Sequence, residues 1–150
     1  MADQYVITGA NTTTVSPGDT ALALEGQADI RARIYEIIMG HGGSPGDTLI
    51  NWLVRRGTAL GTSTAVTPAK LDNDAPASQL AGAEDHTAEP TYTAATELID
   101  IDLNQRATFR WVASPNGEIL LPASATAVVG VTPIAASYTG ESAATMHFWE

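Results

Sequence analysis

Cysteine is absent from the 150 residues, so the chain can form neither a disulfide framework nor a thiolate site. Lysine occurs once, at Lys70, and seven basic residues face seventeen acidic ones, which gives a formal net charge of −10. Because a surface of that sign repels phosphate backbones, we expect no nucleic-acid partner. The acidity fits a well-solvated surface, which we favour, or a surface that meets an electropositive protein.

Long apolar runs are also missing. The best of them, ATAVVGV at residues 125–131, has the length of a strand and is far too short to span a bilayer. The first ten residues have neither the basic nor the apolar segment of a secretory signal. We therefore expect a soluble chain without a membrane partner, folded as one domain.

Turn signals recur along the chain. The stretch SPGDT occurs at residues 16–20 and again at 44–48, and a related SPNGE lies at 114–118. Proline sets φ for the second position of a type II turn, and glycine accepts the positive φ of the third. Each copy precedes a run that suits a strand, and the flanks do not align otherwise. The pattern predicts three turns that each begin a strand, and not an internal repeat.

Alternation of apolar and polar residues indicates half-buried strands. It is seen in ELIDIDLNQ (97–105), TFRWVA (108–113) and TMHFWE (145–150). Residues 29–40 carry apolar residues at helical spacing, and residues 47–57 have an N-cap-like Asp47 and a final Arg-Arg-Gly, so either could be a helix. We predict strands in both, because Arg31 and Arg33 alternate with apolar neighbours and a turn joins the two segments.

The periodicity disappears between residues 59 and 96, where Ala, Thr, Pro, Asp and Gly dominate. We predict a long loop over 59–96, with a short helical turn possible around 76–81. The whole pattern predicts an all-β fold: an antiparallel β-sandwich of jelly-roll type with one long loop excursion. Residues 21–150 would form this single domain, and residues 1–20 would be an N-terminal arm or the first strand.

Catalytic motifs are scarce. Residues 42–46 read formally as G-x-S-x-G, which would make Ser44 the nucleophile of a hydrolase. In that elbow the next residue donates a backbone N–H to the oxyanion, and here it is Pro45, which has none. We interpret this stretch as a hairpin turn. Because no nucleotide-binding loop is visible either, we expect no enzyme, no catalytic residue and no cofactor.

Metal and sugar sites have weaker signals. Asp85, His86 and Glu89 lie close together and could share an ion, although we favour a solvated acidic loop and predict no metal. The three tryptophans, at positions 52, 111 and 149, could form a sugar-stacking platform. Aromatic residues of β-sandwiches more often lie in the core or in a subunit interface, and we favour that role.

Several stretches together resemble a known group of proteins. ADIRARIYEIIMG, TAVTPAKLDNDAPAS, GEILLP and the final MHFWE, spread over residues 21–150, look like phage capsid decoration (cement) proteins, a head-protein family with a jelly-roll fold. The resemblance implies a structural virion protein that is assembled in the host cytoplasm. It would bind the major capsid protein on the outer surface of the head as a homo-oligomer, expected to be a trimer.

The last strand supplies candidate interface residues. Phe148 and Trp149 point to opposite faces, so one can enter the sandwich while the other meets a neighbouring copy or the capsid. The alternative function is a carbohydrate-binding module or the tip domain of a tail or spike protein.

Overall fold

A computed structural model of the protein describes residues 2–12, 18–134 and 140–150. Within these ranges no helix is long and apolar enough to cross a membrane. The regular elements of the described residues are twelve β-strands: β1 (Gln4–Asn11), β2 (Leu22–Glu25), β3 (Ala32–His41), β4 (Leu49–Gly57), β5 (Thr62–Val66), β6 (Ala69–Lys70), β7 (Ala81–Ala88), β8 (Tyr92–Asn104), β9 (Phe109–Val112), β10 (Ile119–Leu121), β11 (Val128–Ile134) and β12 (Ser142–Trp149).

The strands form two six-stranded antiparallel sheets. The first sheet has the order β10-β3-β12-β1-β6, with β9 also paired to β3, and the second has the order β5-β7-β2-β11-β4-β8. The pairing is nested: β1 pairs with β12, β2 with β11, β3 with β9 and β10, β4 with β8, and β5 with β7. The first four of these pairings, counted from the chain ends inward, alternate between the two sheets. The predicted all-β antiparallel sandwich is confirmed.

One core joins the two sheets, because alternate residues of the strands point inward from both sides. On β4, for example, Ile50, Trp52 and Val54 point inward while the residues between them face outward. The largest fully buried side chains are Trp52, Tyr5, Phe148, Ile7, Leu22, Leu24, Ile34, Ile37, Met39, Ile50, Leu121 and Met146. Both ambiguous segments, now β3 and β4, are strands as predicted.

The prediction of one long loop over residues 59–96 is wrong. This connection between β4 and β8 contains β5, β6 and β7, and β8 itself begins at Tyr92. β5 and β7 extend the second sheet beyond β2, and β6 pairs with β1 in the first sheet. These strands are built from small residues and several are exposed, so they bury little apolar area and show no apolar period. Residues 76–81 contain no helical turn.

The N-terminal residues of the structure form the first strand, which was one of the two alternatives. β1 lies between β12 and β6, and eight of its residues pair with β12. The three predicted turns each precede a strand, β2, β4 and β10, although the first turn begins outside the described residues. Gly18 and Asn116 adopt the positive φ expected in such turns. Gly46 of the second copy does not, and the positive φ there belongs to Gly43, just before the copy.

Candidate binding face

A β-bulge shapes the outer surface of the first sheet. His147 pairs with Glu36 and Phe148 pairs with Ile34, so Tyr35 is an extra residue in β3. Such a bulge interrupts the alternation of the strand. Ile34 is buried, and Tyr35 and Glu36 both lie on the side of His147, away from the core. We call this outer surface of β3, β9 and β12, with the exposed end of β6, the open face.

Aromatic side chains follow the last strand on the open face. The ring of Trp149 stacks on Tyr35 with centroids 4.9 Å apart, and Tyr35 lies 5.9 Å from the ring of His147. Phe148 points the other way and stacks on Tyr5 at 5.6 Å inside the core. The predicted division between the two residues is therefore present, but Phe148 is fully buried within the chain. Of the two interface candidates, Trp149 is the one that reaches the surface.

Charges on the open face are organised around Glu36. Its carboxylate accepts a hydrogen bond from Arg110 Nε, and His147 Nδ1 lies 3.0 Å from its second oxygen. The hydrogen bond from Arg110 is the largest of the effects that hold the pKa of Glu36 below its ordinary value, and it outweighs the opposing effect of burial. Arg110 itself remains mostly exposed. Glu36, Arg110 and His147 thus form a charged cluster beside the aromatic row.

A depression of about 540 Å³ lies at the end of β12. It is lined mainly by apolar surface and holds Trp149 and Leu71, whose exposed fraction is 49%. Two acidic residues, Asp3 and Asp72, are among those that line the same depression, together with Ala2 and Gln4. The depression continues the aromatic row of the open face toward β6.

Part of the outer surface of the second sheet, over β2, β7 and β11, is different, because the chain covers it. Ala23, Ala83 and Val128 point away from the main core and are still at most 1% exposed, since they form a second small cluster with Leu60. The two ends of the β4–β8 connection are tied together there by hydrogen bonds between residues 58–59 and 91. We call this surface the covered face.

A buried polar network lies under that cover. Thr20 and Thr132 are fully buried, and their hydroxyls lie 3.1 Å apart. The hydroxyl of Tyr92 lies 2.7 Å from that of Thr20 and 3.1 Å from that of Thr132, and the Arg55 guanidinium sits 3.8 Å from the centroid of the Tyr92 ring. Glu89 accepts hydrogen bonds from the backbone and the hydroxyl of Thr20. Burial raises the pKa of the Glu89 carboxyl, and it also raises the pKa of the Tyr92 hydroxyl.

The three metal candidates are not directed to one point. Asp85 accepts a hydrogen bond from the backbone N–H of Thr12 at 2.9 Å, while Glu89 binds Thr20. His86 is buried, and its Nδ1 lies 3.3 Å from the carbonyl oxygen of Thr20. In the described ranges, no three histidine or acidic side chains are grouped as metal ligands. These three residues join the N-terminal region to β7 and to the start of β8.

The other sequence candidates also have structural positions. Ser44 lies in the loop between β3 and β4, without the strand–turn–helix arrangement of a nucleophile elbow. That loop is tied to the β8–β9 corner, since the Gly46 N–H donates to the Gln105 side chain at 2.8 Å. Trp52 is fully buried and Trp111 packs against the core, so the three tryptophans do not share an exposed surface.

Tyr35 and Leu71 were missed by sequence reasoning. The signal for Tyr35 is local: Tyr35-Glu36 interrupts the alternation between the buried Ile34 and Ile37, which is what a bulge produces. Leu71 has no such signal, because its neighbours on the open face come from β1 and β12, at the two ends of the chain.

Comparisons with known proteins identify no relative. No protein-family model matches the chain, and neither a curated protein nor a solved structure matches it.

Proposed function

We propose that the chain is a structural virion protein: a capsid decoration (cement) protein that binds the outer surface of a phage head and stabilises it as a homo-oligomer, without catalytic residues. The open face would make the contact. The observation that carries this assignment is the aromatic row of the open face, which ends in the Trp149–Leu71 depression. Partly exposed aromatic anchors supply much of the binding energy at protein interfaces.

The strand order supports the jelly-roll part of the proposal. A jelly roll is a double sheet of eight antiparallel strands, and this architecture recurs in viral capsid and lectin domains. Removing β5, β6, β7 and β9 leaves β1-β12-β3-β10 in one sheet and β2-β11-β4-β8 in the other. These are four nested pairs that alternate between the sheets. We assign β5–β7 as an insertion between the two strands of the innermost pair.

A trimer is proposed as the working assembly, as the resemblance to cement proteins implies. Symmetric copies repeat one weak contact several times, which raises the overall affinity for a symmetric shell. β8, with thirteen residues, is an edge strand of the second sheet and is available for contacts between copies.

The second candidate is a carbohydrate-binding module or the tip domain of a tail or spike protein. Trp149 favours it, because a partly exposed indole beside the carboxylates of Asp3 and Asp72 could stack on a sugar ring whose hydroxyls donate to the acids.

Binding to heads that lack the protein tests the first candidate. Purified protein is mixed with undecorated heads of the encoding virus, and co-sedimentation and light scattering report head binding and oligomeric state. Trp149→Ala and Leu71→Ala should weaken head binding, the tryptophan change by about 30-fold. Leu49→Ala is the matched control, since Leu49 is 68% exposed but lies on the second sheet.

A protein that stays monomeric at high micromolar concentration and does not sediment with heads would overturn the cement assignment. Retention on an oligosaccharide array by that same protein would favour the second candidate.

A further inference from the structure

We propose that the depression at the end of β12 receives a lysine or arginine side chain from a basic segment of the shell protein. The aliphatic stem would lie on Leu71 and Trp149, and the charge would lie between Asp3 and Asp72. This inference names the chemistry of the contact and rests on the proposed function for the identity of the partner.

The shape and the lining of the depression suit a long cationic side chain. Its volume of about 540 Å³ accommodates one such side chain together with flanking residues, and apolar surface makes up most of its lining. Lysine and arginine bury their methylene groups on apolar surface while the charged head stays near water or a carboxylate. The indole of Trp149 adds attraction for a cation.

The carboxylates of Asp3 and Asp72 can each form an ion pair with an incoming cation. The salt bridges of the described residues both belong to Glu36, so neither Asp3 nor Asp72 has one there. Asp3 is held by its backbone, which exchanges hydrogen bonds of 3.1 and 3.2 Å with Glu150. One oxygen of Asp72 accepts the N–H of Asp74 at 3.0 Å, and its other oxygen has no hydrogen bond among the described residues. The positions of both acids are thus set by contacts that a ligand need not break.

Charge distinguishes a cationic side chain from a neutral sugar. A ligand that fills the depression removes water from both carboxylates, and a buried carboxylate without a counter-charge is costly. A lysine or arginine compensates that cost, whereas a sugar hydroxyl supplies only a neutral hydrogen bond. Since the whole chain carries a formal charge of −10, a basic segment is also attracted from a distance.

Titration with short peptides tests the inference without heads. The probe is acetyl-Ala-Leu-Arg-Leu-Ala-amide, and the control is the same peptide with Gln in place of Arg. The indole N–H signal of Trp149, assigned by its loss in Trp149→Phe, reports binding in NMR spectra. We expect this signal to shift with the Arg peptide at millimolar concentration, to shift less as salt is raised, and to respond little to the Gln peptide.

Two double variants show whether the affinity depends on the acids of the depression or on the net charge of the protein. Asp3→Asn with Asp72→Asn should weaken the Arg peptide by about tenfold, while the amide oxygen at 72 can still accept the Asp74 N–H. Asp74→Asn with Asp100→Asn makes the same change in charge outside the depression and should leave the affinity within about twofold.

Three results of the peptide titration would overturn the inference: no shift with the Arg peptide, an equal shift with the Gln peptide, or an unchanged affinity in the Asp3/Asp72 variant. A shift with cello-, malto- or chito-hexaose and none with the Arg peptide would favour the sugar-binding alternative.

Head binding separates this inference from the proposed function. If the wild-type protein binds heads and the Asp3/Asp72 variant binds equally well, the inference fails and the cement assignment stands. If the wild-type protein does not bind heads, the cement assignment fails and the peptide titration still decides the chemistry of the depression.

Discussion

The covered face and the open face differ in what their outward side chains contact. On the covered face, outward residues such as Ala23 and Thr132 are fully buried, because the ends of the β4–β8 connection lie over them. On the open face, outward side chains such as Trp149 remain partly exposed, and Val112 is 53% exposed. On the covered face the aromatic residue, Tyr92, makes its contacts within the chain and stabilises the fold. The open face presents aromatic residues to solvent, and this difference leads us to place the binding surface there.

Two tyrosines provide the strongest test of this contrast. Tyr92→Ala removes two hydroxyl contacts and the ring beside Arg55 from the covered face, and we expect a loss of about 3 kcal/mol in the free energy of unfolding. Tyr35→Ala removes a partly exposed ring from the open face and should cost about 1 kcal/mol. Urea denaturation of both variants measures the difference. Equal losses would mean that the two faces contribute alike to stability.

Two glycines give the next largest effect. A Cβ on Gly130 would overlap the ring and hydroxyl of Tyr92, so Gly130→Ala should displace that side chain and cost about 2 kcal/mol. A Cβ on Gly40, in the first sheet, would come no closer than 3.3 Å to another atom, the Thr108 hydroxyl oxygen. Gly40→Ala should therefore change the free energy of unfolding by less than about 0.5 kcal/mol. Thermal and urea unfolding report both values, and a well-tolerated alanine at 130 would contradict the close packing of the cover.

Two glutamates predict opposite pH dependences of the free energy of unfolding for the two faces, and we expect these effects to be the smallest. The folded pKa of Glu36 is lowered, so its stabilisation is present above the ordinary value of 4.5 and is lost as the pH falls through the folded value. The folded pKa of Glu89 is raised, so its contribution is present below 4.5 and is lost as the pH rises through the folded value.

Unfolding free energies between pH 3 and pH 8, about the range in which such carboxyls titrate, separate the two. The advantage of wild type over Glu36→Gln should shrink on acidification, whereas wild type should lose stability relative to Glu89→Gln as the pH rises. If both stability differences changed in the same direction with pH, the pairing of Glu36 and the burial of Glu89 would not distinguish the two faces.

Much of the fold was predictable because its long strands carry strong patterns. Strands β8, β9 and β12 carry apolar alternation, and a turn signal joins β3 to β4. The placement of Phe148 inside and Trp149 outside follows from a period of two. The strands β5, β6 and β7 were not predictable. They contain few large apolar residues. β6 and β7 pair with β1 and β2, far from them in the chain, and β5 pairs with β7.

The amino-acid sequence alone determined the all-β class, the acidic surface, the lack of any thiol chemistry and the facing of the last strand, because these depend on composition and on neighbours one or two residues apart. Only the tertiary structure decided which outer face is covered and which is open. It also decided that the candidate acids Asp85 and Glu89 bind backbone groups, and that Leu71 joins Trp149 and Asp3 in one depression. These groups lie far apart in the amino-acid sequence, so they meet only when the strands that carry them have paired.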